Sequence, residues 1–356
     1  MANPRAQNSL VIGFGTGASS SILSRHTKTT TVEIEPKVLK TAGFFEMINA
    51  GVFNANHEIV FDDARHYLLR TQNKYDVIAN HSLELYQSFS SLLFTKEFLE
   101  ISKSRLSPDG LYFQWFPLYD LKPEEFQGFY KTFNSVFPHQ MVFVNLRKGE
   151  NVDYEIKGAN NLRTQYLAKQ NSNELIIIGS ANPIALGLAA LRSSFSLLKP
   201  EDRSYLQLTS LNSPEAIFNL LLFEGEELKG YYEAAAIITD DKPSLEFSTP
   251  FRLVEKSPRL VNRAMDDLLN YIELSRPSWN DQQRLIEIPP HPASTPHTRA
   301  ESSWRTRTGA GVQCRDLQSP SLPVLDNCTL RLVSPVNNAS PSLRRARNSL
   351  TQQYAY

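Results

Sequence analysis

Residues 11–35 read VIGFGTGASSSILSRHTKTTTVEIE. An apolar, β-branched run ends in three glycines at alternate positions, Gly13, Gly15 and Gly17. ASSSILSRH then has the composition of a helix, opened by serines, which cap helix starts well. A second strand-like run, TTTVEIE, closes on Glu33 and Glu35. Strand, glycine turn, helix and strand together form the opening unit of a doubly wound α/β sheet. Glycine at the turn permits positive φ and lets a ligand come close to the backbone, and the helix amides behind it carry partial positive charge. Gly13-x-Gly15-x-x-Ala18 satisfies the dinucleotide fingerprint in its G/A form. Gly13-x-Gly15-x-Gly17 equally fits a loop that binds nucleosides of the S-adenosylmethionine type, and a tight turn without any ligand is the third reading. An acid about 20 residues beyond such a loop can accept ribose hydroxyls. Strand alternation sends Glu33 and Glu35 to the same side, so one suffices. The competing role for either is to cap the next helix.

The alternation continues outward. Pro36 suits the first turn of a helix, PKVLKTAGFFEMIN. HEIVFDD reads as a strand, ARHYLLRTQ as a helix and YDVIANH as a fourth strand. FTKEFLEISKSRL places Phe94, Phe98 and Ile101 on one helical face. SPDG reads as a turn and LYFQWF as a fifth strand. This pattern predicts a mostly parallel sheet with helices on both faces. Further on, LKPEEFQGFYKTFNSVF is helical in composition, and HQMVFVN and NELIIIGS are strand-like. SPEAIFNLLLFEGEELKGYYEAA has helix composition, and ITDDKPSLEFSTP reads as a turn and a strand. These pieces complete the same sheet. The expected organisation is a nucleoside-binding domain over 1–255, a short helical extension over 256–280 and a disordered tail over 281–356. The tail is rich in Pro, Ser, Thr and Arg and cannot bury enough apolar surface to offset its ordering entropy. Its abrupt change of style is also what a shifted reading frame would leave.

Composition narrows the function. Of 356 residues 41% are hydrophobic, and 37 basic residues balance 37 acidic ones for a formal net charge of +0. That balance argues against nucleic acid or an anionic membrane as partner. No apolar run approaches the ~20 residues of a membrane span. The two cysteines, Cys314 and Cys328, lie near the end, so neither a disulfide framework nor a Cys-based zinc site is expected, and no metal. With no signal-peptide pattern at the start, the expected location is the cytoplasm.

Two further rims carry chemistry. Asp62 and Asp63 end the third strand; one can accept a hydrogen bond from an adenine amino group while the other caps the helix beginning at Ala64. Past the fourth strand stand His81 and Glu84, where ligands bind in an open α/β sheet. Trp115 and Tyr119, after the fifth, can line an acceptor pocket or serve as packing.

Taken together, VIGFGTGA, VEIEPKVLKTA, FDDARHYLL, YDVIANH, LFTKEFLEISKSRLSPDGLYFQWFPLY and ITDDKPSLEF resemble the spermidine synthase (polyamine aminopropyltransferase) family over residues 9 to about 252. The set is most similar to bacterial spermidine synthase-like proteins, many of which carry this domain fused to membrane helices. The resemblance implies a Rossmann-like, S-adenosylmethionine-dependent methyltransferase-type fold. It also implies an aminopropyl-type transferase of polyamine biosynthesis, with decarboxylated S-adenosylmethionine (or S-adenosylmethionine) as co-substrate and no tightly bound cofactor. The partners it implies are a polyamine and the nucleoside, and a homodimer is admitted as the assembly. Gly13, Gly15 and Gly17 match the nucleoside loop, Glu33 the ribose acid, and Asp63 with Ala64 the pair that reads adenine. Thr16 stands where many synthases have aspartate, as it does in the membrane-fused relatives. The larger departure is at the acids that follow the fourth strand. His81 occupies the first aspartate's place and Glu84 the second's, with Leu85 for the expected proline and Phe89 near the place of a glycine. In the family the first acid takes a proton from the attacking amine. Only eight residues precede the first strand, so the β-rich cover that synthases place over the polyamine site is expected to be missing or supplied by another chain. The alternatives are a catalytically inactive nucleoside-binding domain and an S-adenosylmethionine-dependent methyltransferase.

Overall fold

The computed structural model describes residues 5–81, 85, 88–119, 121–145, 173–208, 211, 213–248 and 263–275. The strands are β1 (Asn8–Ile12), β2 (Lys28–Glu33), β3 (His57–Phe61), β4 (Tyr75–Asn80), β5 (Leu106–Pro117), β6 (His139–Val144), β7 (Glu174–Ser180) and β8 (Leu221–Glu224). They form one sheet in the order β3-β2-β1-β4-β5-β7-β6-β8. The first four pairings, from β3 to β5, are parallel, and β7 and β8 run antiparallel to their neighbours. From β1 the chain winds outward to β3, returns beside β1 as β4, and winds the other way. The crevice between the carboxyl ends of β1 and β4 is therefore the switch point where open α/β sheets bind ligands. The protein has the Rossmann-like, methyltransferase-type fold.

Among the helices are α1 (Ala18–Ser24), α2 (Glu46–Asn49), α3 (Ala64–Arg70), α4 (Ser88–Ser91), α5 (Lys96–Ser104) and α6 (Pro123–Val136). Apolar residues at helical spacing on α5 and α6 meet one sheet face, where Phe98, Phe116, Phe129 and Phe133 are fully buried. The rings of Phe116 and Phe129 stack at 4.2 Å. Helix Arg263–Ser275 adds Leu268, Leu269 and Ile272 to the same core. A smaller core on the opposite face gathers Met141, Phe143, Ile178 and Leu191. Between α1 and the sheet lies a hydroxyl layer instead. Ser20 Oγ bonds Thr31 Oγ1 at 2.8 Å, and Ser9 Oγ bonds Thr27 and Thr29 at 2.8 and 2.9 Å. Each buried hydroxyl finds its partner there, which is what makes a Ser- and Thr-rich interface tolerable.

Several local readings need correction. No serine caps α1: its N-cap is Gly17, at φ 82°, and the hydroxyls of Ser19, Ser20 and Ser21 bond His81, Thr31 and Ala50 O instead. PKVLKTAGFFEMIN is a 3-10 helix over Pro36–Phe45, followed by α2. The tighter winding delivers Val38, Leu39 and Ala42 onto Phe14 and Val52. β5 takes in the SPDG turn, its ladder with β4 shifting register between Tyr75 and Val77. LLFE, read as helix, is β8, recruited by the exposed side of β6. SLEF, read as a strand, lies in the short helix Ser244–Ser248. The predicted tail over 281–356 falls outside the described residues.

Candidate functional site

Four strand ends meet at one rim through backbone hydrogen bonds. Gly13 N donates to Val32 O at 2.9 Å, Asp62 N to Glu33 O at 3.2 Å and His81 N to Ile12 O at 3.2 Å. These bonds prolong the parallel ladders past β1, β2, β3 and β4. The glycine loop, Glu33, the Asp62–Asp63 pair and His81 are thereby aligned along the carboxyl edge.

The loop needs its glycines for different reasons. Gly13, Gly15 and Gly17 have φ of 86°, 51° and 82°, the left-handed region that other residues enter at a cost. A Cβ on Gly13 or Gly15 would meet open space, whereas one on Gly17 would lie 2.7 Å from Phe14 Cζ. Gly17 is thus required by packing, and Gly13 and Gly15 leave backbone uncovered. Thr16 O is held by Asn49 Nδ2 at 2.7 Å, which also donates to Ala42 O at 2.9 Å.

Glu33 is buried, and both of its carboxyl oxygens accept backbone amides. Phe14 N donates to Oε2 and Glu35 N to Oε1, each at 2.8 Å. The acid at the end of β2 therefore ties the glycine loop to its own strand end. Each oxygen keeps a further lone pair toward the rim. Glu35 is exposed and caps the 3-10 helix by accepting from Lys37 N at 2.9 Å.

Asp63 is exposed and caps α3, accepting from His66 N at 2.9 Å, and Ala64 begins the helix and is buried. Asp62 accepts from His66 Nδ1 at 2.9 Å and from Arg70 at 3.3 Å. The hydrogen bond from His66 holds its carboxyl below the ordinary carboxylate range. The next residue, Arg65, was not singled out by sequence reasoning, yet it joins distant parts of the chain. Its guanidinium is bidentate to Asp240, Nη1 to Oδ2 at 2.5 Å and Nη2 to Oδ1 at 2.7 Å. Nη2 also donates to Leu92 O and Thr95 Oγ1, both at 3.0 Å. Asp240 of the TDDKP stretch thus anchors the residues before α5 to the start of α3. Burial would raise its carboxyl pKa, but hydrogen bonds from Arg65 and Thr95 outweigh burial and hold it low. A depressed carboxylate contributes stability above its unfolded value and loses it as pH falls through the folded one. The pair is a quarter to a third exposed, so Asp240→Asn is expected to cost only about 1 kcal/mol at neutral pH. It should also remove part of the stability loss below pH ~4. Urea midpoints measured from pH 7 to pH 3 check both effects.

His81 turns its ring toward α1, where Nε2 lies 3.2 Å from Ser19 Oγ. Burial keeps its pKa below the usual imidazole value, so it is neutral at physiological pH. It borders an apolar cavity of about 200 Å³ between α1 and the sheet, lined in part by Val77, Ala79, Phe113 and Trp115. Tyr119 sits against Trp115, ring centroids 6.5 Å apart. Glu84 lies outside the described residues; Leu85 is buried in the main core. The spacing 77, 79, 81 on one strand was the signal for this cavity, but Ser19 is brought to His81 only by the fold.

Residues 1–147 match the family model for the spermine/spermidine synthase domain. The match takes in the glycine loop, Glu33, Asp63 and His81 and ends before β7. It is 32% identical over 113 residues to a polyamine aminopropyltransferase of Clostridium botulinum, covering 31% of this chain and 39% of that protein. The corresponding enzyme of Thermotoga petrophila is 26% identical over 148 residues, covering 40% of this chain and 49% of the relative. The chain thus spans about half or less of the length of the curated relatives it matches. A spermidine synthase solved in complex with the transition state analogue AdoDATO is 18% identical, with a TM-score of 0.45, covering 65% of this chain and 71% of that one.

Proposed function

We propose that the rim binds the nucleoside of decarboxylated S-adenosylmethionine and that the protein is an aminopropyltransferase-like transferase of polyamine biosynthesis, with residues 1–255 as its nucleoside-binding domain. The observation that carries this reading is Glu33, locked by two amides against three positive-φ glycines at the switch point. In this reading Gly13 and Gly15 admit the nucleoside to the backbone, Glu33 receives the ribose hydroxyls, and Asp63 with Ala64 meets the adenine. Aminopropyl transfer displaces a neutral thioether from a carbon beside a sulfonium. The attacking amine, with a reference pKa of about 10.4, must lose one proton. His81, neutral, can accept it, and Glu84 is the group that can supply negative charge for a cationic polyamine. A cytoplasmic location and a homodimeric assembly belong to the same reading.

One observation favours a second reading, a nucleoside-binding domain without aminopropyl transfer: the His81 ring is engaged with Ser19 beside an apolar cavity. Calorimetry with 5′-methylthioadenosine, S-adenosylmethionine and NAD tests the nucleoside. 5′-Methylthioadenosine is expected to bind at least about 100-fold more tightly than NAD, a difference of about 2.7 kcal/mol. Equal or tighter NAD binding would refute the nucleoside assignment. An assay with putrescine and the decarboxylated donor then separates enzyme from binder: release of 5′-methylthioadenosine supports transfer, and tight binding without release supports the second reading.

A further inference from the structure

The cavity beside His81 has a chemistry that a polyamine does not call for. Its floor is built by alternate residues of neighbouring strands, Val77 and Ala79 of β4 and Phe113 and Trp115 of β5; Ile22 of α1 lines it too, and the pocket opens to solvent. Alternation along a strand puts these residues on one face of the sheet. The indole N–H of Trp115, its single donor, is taken by Glu174 Oε2 at 3.1 Å, so the cavity receives the ring. Two polar side chains border the space, Ser19 and His81, bonded to each other at 3.2 Å. No described lining residue is acidic. A volume of about 200 Å³ exceeds the roughly 150 Å³ of an apolar cavity that stays dry and takes up benzene. An ammonium group laid against this lining would lose the hydration on that side with no counter-charge among the described lining residues to replace it. A neutral ring or short alkyl chain loses nothing of the kind, and one polar atom at the Ser19–His81 pair fixes its orientation.

We infer that this cavity is a binding site for a small uncharged aromatic or alkyl molecule carrying one hydrogen-bonding atom, which is set against Ser19 and His81. The site lies on the sheet face under α1, and its occupation does not depend on a bound nucleoside.

The protein is titrated with benzyl alcohol and benzylamine, followed by calorimetry and by the imidazole NMR signal of His81. Benzyl alcohol is expected to saturate with a Kd on the order of 1 mM or tighter and to move that signal. Benzylamine, of the same shape but cationic, is expected to bind at least about tenfold more weakly. Ile22→Trp, at a half-buried position, fills the cavity from the helix side and should weaken benzyl alcohol at least about tenfold. Ala79→Leu fills it from the strand side with the same result and guards against a variant that misfolds. Absence of saturation, an unmoved His81 signal, benzylamine binding as tightly as the alcohol, or unchanged affinity in both filled variants would each overturn the inference. Titration of the same samples with 5′-methylthioadenosine separates the two proposals: benzyl alcohol binding without nucleoside binding refutes the nucleoside function alone.

Discussion

Glu33→Ala is expected to abolish measurable nucleoside binding and to lower stability by about 2 kcal/mol. The two effects have one cause. Glu33 is 6% exposed, and its oxygens are the acceptors of the Phe14 and Glu35 amides. Truncation leaves the Phe14 N–H buried without a partner, at a cost of about 1–3 kcal/mol for such a group. The Glu35 N–H, beside an exposed residue, recovers water and contributes less. Once Phe14 N is released, the loop loses the bond that holds its backbone in register with β2, and in the proposed function the ribose loses its acceptor. A drop of at least about 100-fold in affinity for 5′-methylthioadenosine follows, or about 2.7 kcal/mol. Glu33→Gln sharpens the test, because one amide arm then points a donor at a backbone donor. It should lose nearly as much stability as alanine despite its matched shape. Urea unfolding of both variants, paired with calorimetry, reads the outcome; a glutamine variant as stable as the wild type would mean that the two amide bonds do not hold the loop.

The part of this site that the sequence displayed is the part made by neighbours along the chain. A glycine turn between two strands, an acid at the end of the second and an aspartate before a helix are local patterns, and strands β1 to β5 followed from alternation. What escaped was decided by distant partners. Arg65 and Asp240 are 175 positions apart, and nothing near either one announces the clamp. LLFE lies within a stretch of helix-forming residues and becomes a strand because β6 offers it an edge. SLEF, with strand-like composition, pairs with no strand of the described sheet and forms a short helix. The serines of α1 have the right chemistry for a cap, yet their hydroxyls are taken elsewhere, Ser19 by His81, Ser20 by Thr31 and Ser21 by Ala50 O, and the cap falls to glycine. His81 was legible as a rim residue; that its ring turns to Ser19 under α1 depends on the packing of that helix.

Gly17 gives the largest effect on folding and, set against Gly15, separates packing from binding. Both residues sit at positive φ, so alanine at either costs about 1–2 kcal/mol in backbone strain. At Gly15 that is the whole cost to the fold, since a Cβ there meets open space. At Gly17 the Cβ would also lie 2.7 Å from Phe14 Cζ and 3.2 Å from Asn49 Cβ. Neither neighbour can retreat. Phe14 is packed against Ala42 and Val52, and Asn49 is pinned by its bonds to Thr16 O and Ala42 O. Gly17→Val, whose branched side chain tolerates the left-handed region worst, is expected to cost about 3–5 kcal/mol and to unfold a protein of ordinary marginal stability at physiological temperature. In the proposed function the open space at Gly15 is where the nucleoside approaches the backbone, so Gly15→Ala should remove most of the affinity for 5′-methylthioadenosine from a protein that is still folded. The two variants are thus predicted to differ in kind: one loses its thermal transition, the other keeps it within a few degrees and loses its ligand. Equal losses of stability would show that the space above Gly15 is closed in solution, and the nucleoside could not then approach the loop by that route.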